Sequence, residues 1–255
     1  MRLFDTHAHY DADAFDADRM EVLSSMPGQG VELILNPGCD LKSSQTAVEL
    51  AERFPFVYAA VGVHPEECAD WNAEHDIPVL EALAQNPKVR AIGEIGLDYH
   101  WPENPPRELQ QQAFHAQLEL AEKLDLPVIV HDRDAHHDCL DIVRAHPNVT
   151  GVYHCYSGGV EDAKTLMKLG WMISFTGSIT FKNARRALEV IDLLPLDRMM
   201  IETDSPYMSP EPFRGRRNDS GRVHLVAEAI ARRKGLDPEE VARITLENGK
   251  RFFRI

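Results

Sequence analysis

The sequence predicts a single (β/α)8 barrel over residues 1–255. Three observations carry that prediction. Eight short apolar runs alternate along the chain with segments of helical patterning, most of the runs are continuous rather than alternating, and side chains able to hold metal gather at the C-terminal ends of the runs. A chain of 255 residues that is 44% hydrophobic can close such a barrel as one domain, and no repeat, low-complexity run or linker divides it. An open doubly wound sheet is the competing architecture, but no G-x-G-x-x-G follows the first run.

The runs read in order as RLFDTH (2–7), VELILNPG (31–38), VYAAVGVHP (57–65), VRAIGEIGLD (89–98), PVIVHD (127–132), TGVYHCYSG (150–158), WMISFTG (171–177) and RMMIETDSP (198–206). Continuous apolar character suits parallel strands buried on both faces under helices. Between them, PPRELQQQAFHAQLELAEKL (105–124) sets Leu109, Phe114, Leu118, Ala121 and Leu124 on one helical face. After the eighth run, SGRVHLVAEAIARRKG (220–235) and DPEEVARITLENGKRFF (237–253) complete the outer ring, the latter with Asp237 as N-cap and Pro238 at the first helical position.

Composition narrows the function. With 27 basic against 41 acidic residues the net charge is −14, so the chain as a whole repels a polyanion and any nucleic-acid chemistry has to be local. Cys39, Cys68, Cys139 and Cys155 stand far apart with no C-x-x-C, which argues against a disulfide framework and a cysteine zinc knuckle and for a reducing compartment. No apolar signal region opens the chain, and the longest apolar stretch, 56–63, is well short of the ~20 residues a spanning helix needs. The expectation is a soluble cytoplasmic protein with no membrane partner.

In a barrel of this kind chemistry sits at the C-terminal ends of the strands. The first strand is expected to end with His7 and His9, the third with His64, the fourth with Glu94, the fifth with His131, the sixth with His154 and the eighth with Asp204. Residues two apart on a strand point to the same side, so the imidazoles of His7 and His9 can converge on one ion. Glu94 follows a fully apolar approach, where an unpaired carboxylate is costly, and two cations ~3.5–4 Å apart would satisfy both its oxygens. His131 and His154, on adjacent strands beside it, suit a second metal position. Asp204 can hold metal and accept a proton from an attacking water, while Glu202 shares its parity one layer deeper.

The segments FDTHAHYD, GVHP, GEIGLDY, VIVHDRDA, HCYSG and ETDSPY resemble, in that order, the motifs of the TatD family of metal-dependent hydrolases, from Phe4 to Tyr207. The resemblance implies a divalent-metal deoxyribonuclease that hydrolyses phosphodiester bonds on an amidohydrolase-like barrel, in its sharper form a 3′ to 5′ exonuclease on single-stranded DNA. It implies that His7, His9 and Asp204 hold one ion, that His131 and His154 hold the other, that Glu94 bridges the two, and that His64 is a substrate-facing or catalytic histidine. Zinc suits the ligand types, whereas magnesium or manganese suits the nuclease chemistry. The family's Asn-Glu-Pro triplet is replaced here by Asn218, Asp219 and Ser220, which bears on loop stiffness and substrate preference.

The expected partners are DNA ends or short single-stranded oligonucleotides, handled by a monomer. Arg214, Arg216 and Arg217, with Arg222 beyond, form a candidate phosphate-binding patch after the eighth run, with a solvated surface as the alternative. Cys155 reads as a packing residue, since metal-assisted attack needs no nucleophilic side chain. Two other readings stand beside the nuclease: an amide or lactone hydrolase of the amidohydrolase type, and a metal-binding scaffold without turnover. The first would bridge its metals through a carbamylated lysine on the fourth strand, where this chain has Glu94 and no lysine. The second has no use for a complete set of ligands with a position for attacking water.

Overall fold

Eight parallel strands grow from the eight apolar runs: β1 Leu3–Asp5, β2 Val31–Pro37, β3 Val57–Val61, β4 Val89–Asp98, β5 Val128–Arg133, β6 Gly151–Tyr153, β7 Met172–Phe175 and β8 Met199–Ile201, in a computed structural model that describes residues 1–255. Each strand pairs with the next in sequence order. The helices between them are α1 Arg19–Ser25, α2 Leu41–Arg53, α3 Ala73–Ala84, α4 Arg107–Leu124, α5 His136–Ala145, α6 Val160–Lys168, α7 Arg185–Leu193, α8 Val223–Lys234 and α9 Pro238–Phe253. The (β/α)8 architecture is therefore the one the patterning predicts.

β8 meets β1 without a regular ladder. The two are joined just beyond their ends, by a parallel bridge between Ala8 and Ser205 and by the amides of Thr6, His9 and Asp204, which donate to the carbonyls of Ile201 (3.2 Å), Ser205 (2.7 Å) and His7 (2.9 Å). Asp5 adds a side-chain tie, its carboxylate accepting from the backbone N–H and the hydroxyl of Thr203.

Most of the core lies between sheet and helices, where 56 buried residues form one cluster. The barrel interior is a smaller cluster of 11, in which small Ala60 and Ala91 sit among Phe4, Ile129, Met172 and Met200. Alternating bulk of this sort fills a narrow barrel. Leu246 and Phe253 of α9 join that cluster, the Phe253 ring lying 5.9 Å from Phe4. α9 starts as its sequence requires, with Asp237 accepting the Glu239 N–H at 2.8 Å and Pro238 in the first turn.

α4 buries the apolar face read from its periodicity, but two glutamines lie under it as well. Gln117 grips both backbone groups of Val63, accepting at 2.7 Å and donating at 3.0 Å, and Gln110 grips those of Asp98 at 2.9 and 3.0 Å. The helix thus holds two rim segments in place through buried amides, each satisfied on both sides.

Four strands stop short of the histidines and the aspartate that their runs carry. β1 stops at Asp5, so His7 and His9 lie beyond it; β3 stops at Val61, ahead of His64; β6 stops before His154; and β8 stops before Asp204. The physical reason is that the chain leaves the ladder at the rim, where backbone bonds become single contacts and Cys155 (φ +42°) and Asp204 (φ +55°) turn out of extended backbone. Glu94 departs in the other direction, since β4 continues past it to Asp98.

Candidate metal centre

Glu94 owes its aim to an irregularity. The pairing of β4 with β5 shifts register between Ile92 and Ile95, which turns the Glu94 side chain across the rim and lets its N–H bond the Gly38 carbonyl at 2.9 Å. The glycines on either side make this possible. A β-carbon on Gly93 would come 2.8 Å from Ile129 Cβ, and one on Gly96, whose φ is +139°, would come 2.0 Å from the His131 carbonyl oxygen.

Around Glu94 the donors divide by oxygen. Oε2 faces His7 Nε2 at 3.2 Å and His9 Nε2 at 3.4 Å, and those two nitrogens are 3.0 Å apart, with Asp204 Oδ1 at 3.9 and 3.6 Å. Oε1 faces His154 Nε2 at 2.7 Å, His131 Nδ1 at 3.0 Å and His64 Nε2 at 3.5 Å. All seven rim residues read from the sequence come together in this one centre. The three arginines do not join them.

The outer nitrogens show which inner atoms are free to bind a cation. His131 turns Nε2 to Asp98 Oδ2 at 2.9 Å, and His154 turns Nδ1 toward Glu202 Oε1 at 3.3 Å, leaving His131 Nδ1 and His154 Nε2 pointed at Glu94. A carboxylate behind a histidine fixes tautomer and ring angle in this way at metal sites. His64 is different. Its Nδ1 accepts the Glu66 N–H at 3.2 Å, so the neutral ring carries its proton on Nε2 and presents a donor to the centre instead of a lone pair. The donor set, nitrogen and carboxylate oxygen on both sides of one bridging carboxylate, fits divalent ions.

The charges are mutually tuned. Burial works against the Glu94 carboxylate, but His154, His7 and His64 around it hold it well below the usual range. Burial and the neighbouring His154 push His7 down to about 4, and burial and His131 do the same to His64. His131 goes the other way: burial disfavours its charge, yet the hydrogen bonds it donates to Asp98 and Glu94 outweigh it and raise it to about 9. Burial lifts Asp204 to about 6.

Two supporting carboxylates stand behind the histidines, and only one of them is legible in the sequence. Glu202 was expected one layer deeper, and its carboxylate takes the Cys155 N–H at 2.6 Å and the Ser174 hydroxyl while facing His154. Asp98 has a signal only in hindsight, as the acid closing GEIGLD. Replacing Asp98 with Asn is expected to lower metal affinity about 10–100-fold, because His131 loses the partner that orients it. Metal titration of the variant checks this, and wild-type affinity would remove Asp98 from the centre.

The loop after β8 is tied to the N-terminal segment. Arg217 forms a two-bonded pair with Asp18, at 2.8 and 2.6 Å, over the Phe15 ring; Arg214 lies over Phe181, Arg222 over Phe213, and Arg216 is exposed. The Asn218-Asp219-Ser220 departure has a structural counterpart. The Ser220 N–H donates to Tyr10 Oη at 2.9 Å and the Tyr10 hydroxyl returns a bond to Ser220 Oγ, a pairing for which proline has no N–H. Asn218 is buried and donates to the Thr203 and Tyr207 carbonyls. Burial pushes the Cys155 thiol up to about 12, in keeping with packing and not with nucleophilic attack.

Comparison with known proteins gives the family of the chain. The family model described as TatD related DNase matches residues 4–254. The uncharacterized metal-dependent hydrolase YabD of Bacillus subtilis is 44% identical over 255 residues, covering 99% of each chain. The 3′-5′ ssDNA/RNA exonuclease TatD of Salmonella typhimurium is 33% identical over 262 residues, again covering 99% of each. The crystal structure of YJJV, a TatD homolog from Escherichia coli, superposes with a TM-score of 0.93 at 31% identity, covering 100% of this chain and 98% of that one. No helix is long and apolar enough to cross a membrane.

Proposed function

Since the chain belongs to the TatD related DNase family and is a metal-dependent hydrolase, we propose that it hydrolyses phosphodiester bonds, trimming single-stranded nucleic acid from the 3′ end. In this reading His7, His9 and Asp204 would hold one divalent ion and His131 and His154 a second, with Glu94 shared between them. The observation that carries it is the division of Glu94, one oxygen to each group of donors. Bound there, two ions would polarise a phosphoryl oxygen and lower the pKa of attacking water.

The chain's own groups do the rest. Asp204 takes the proton of the attacking water at its carboxylate. His64, neutral with its proton on Nε2, donates a hydrogen bond to a phosphoryl or leaving oxygen. Asp98 and Glu202 keep His131 and His154 turned inward. The test is metal-dependent cleavage of oligonucleotides labelled at either end, with dinucleotide and amide substrates alongside. Shortening from the 3′ end is expected; activity on amides with none on any phosphodiester would overturn the reading.

His64→Ala is expected to cut turnover about 10²–10⁴-fold, the usual worth of a positioned proton donor, with metal content at the wild-type level. Elemental analysis beside the kinetics separates the roles, since loss of metal would make His64 a ligand.

A further inference from the structure

A cleft of about 650 Å³ opens beside the metal centre, between the loops that follow β6, β7 and β8. Its near wall is Cys155, the residue after His154, and Met208, four residues after Asp204, closes one side. Phe181, Arg185 and Arg186 form the far wall. Sites for small ligands commonly measure ~300–1,000 Å³, so one nucleotide is of fitting size. The walls are fixed to each other: a β-carbon on Gly177 would come 2.3 Å from the Met208 carbonyl oxygen, and the Glu211 N–H bonds Thr180 Oγ1 at 2.9 Å.

The chemistry of the cleft runs against that of the whole molecule. Arg185 is paired with Glu189 at 2.9 Å, but Arg186 reaches only the Ser157 carbonyl, at 3.5 Å, and has no carboxylate partner. The Arg214 guanidinium, also without one, lies 4.3 Å from the Phe181 ring centroid. In a chain of net charge −14 the cleft is locally positive: its lining carboxylate, Glu189, is taken by Arg185, which leaves Arg186 in the wall and Arg214 over the Phe181 ring without a carboxylate. Beside them are the apolar faces of Phe181 and Met208. Arginine interleaved with aromatic surface is how proteins hold single-stranded nucleic acid, through phosphate contacts and base stacking.

We propose that this cleft holds the nucleotide adjoining the scissile phosphate of a single-stranded substrate, its base against Phe181 and Met208 and its phosphate on Arg186. The assignment rests on the phosphodiesterase reading above, and it gives the substrate strand a direction across the rim, from the metals toward β7 and α7.

The test compares the metal-loaded wild type with Phe181→Ala and Arg186→Ala on two substrates, an oligothymidylate and bis(p-nitrophenyl) phosphate, a diester with no adjoining nucleotide. The ratio of kcat/KM for the oligomer to that for the small diester is expected to fall about tenfold in each variant. Arg186→Ala should also flatten the slope of log KM against log salt for the oligomer by about 0.7, the share of one phosphate contact on a single strand, while Phe181→Ala leaves it alone. Unchanged ratios in both variants overturn the cleft assignment while the function stands. A wild type inactive on both diesters defeats the phosphodiesterase reading, and the cleft assignment with it.

Discussion

Glu94→Ala is expected to abolish turnover, by roughly 10³-fold or more, since metal-assisted charge stabilisation is worth several kcal/mol and each 1.4 kcal/mol is a factor of ten. The same variant should lose metal. Its carboxylate lies within 3.5 Å of a nitrogen on each of His7, His9, His64, His131 and His154, so five imidazoles would face one another with their shared anion gone. Glu94→Gln separates charge from shape, because it keeps the bulk in the barrel mouth while removing the negative charge. It should stay folded and still bind less metal than wild type. Elemental analysis and turnover on a labelled oligonucleotide read both effects, and full activity in Glu94→Ala would end the bridging role.

Asp204→Asn is expected to lower kcat roughly 10²–10⁴-fold, the range for loss of a positioned proton acceptor. Asparagine retains an oxygen for the His7 and His9 side of the centre, so metal content should fall less than activity. That split distinguishes a proton acceptor from a ligand alone. If kcat and metal content dropped in equal proportion, Asp204 would be only a ligand, and unchanged kcat would remove it from the reaction.

The sequence carried the large features because they are local. Continuous apolar runs mark strands covered on both faces, and the two-residue spacing of His7 and His9 puts both rings on one side even though β1 ends before them. What it hid depends on partners far along the chain. Gln110 and Gln117 look like the polar face of an amphipathic helix until Asp98 and Val63 come to meet them. Arg217 looks free to bind phosphate until Asp18, nearly the whole chain away, takes it. Phe181 and Arg186 belong to no motif, and only the packing of three loops puts them on one cleft. Asp98 and Glu202 fall between these cases, since both stand inside recognisable segments but gain their roles from the far sides of His131 and His154.

The irregular junction of β8 with β1 has a consequence for how the chain holds itself shut. His7 and His9 stand on one side of it and Asp204 on the other, so an ion shared among them as proposed would clasp the first strand to the last, beside the tie from Asp5 to Thr203 across 198 residues. A crosslink closing a loop of 100 residues or more is worth on the order of 4–5 kcal/mol in the chain-entropy picture. Metal would then act as a fastener as well as a reagent, and the clasp could close only once the eighth strand had brought Asp204. Hydrogen exchange gives the check: added metal should slow the amides of Thr6, His9 and Asp204, which cross the junction, more than those within the β4 and β5 ladder.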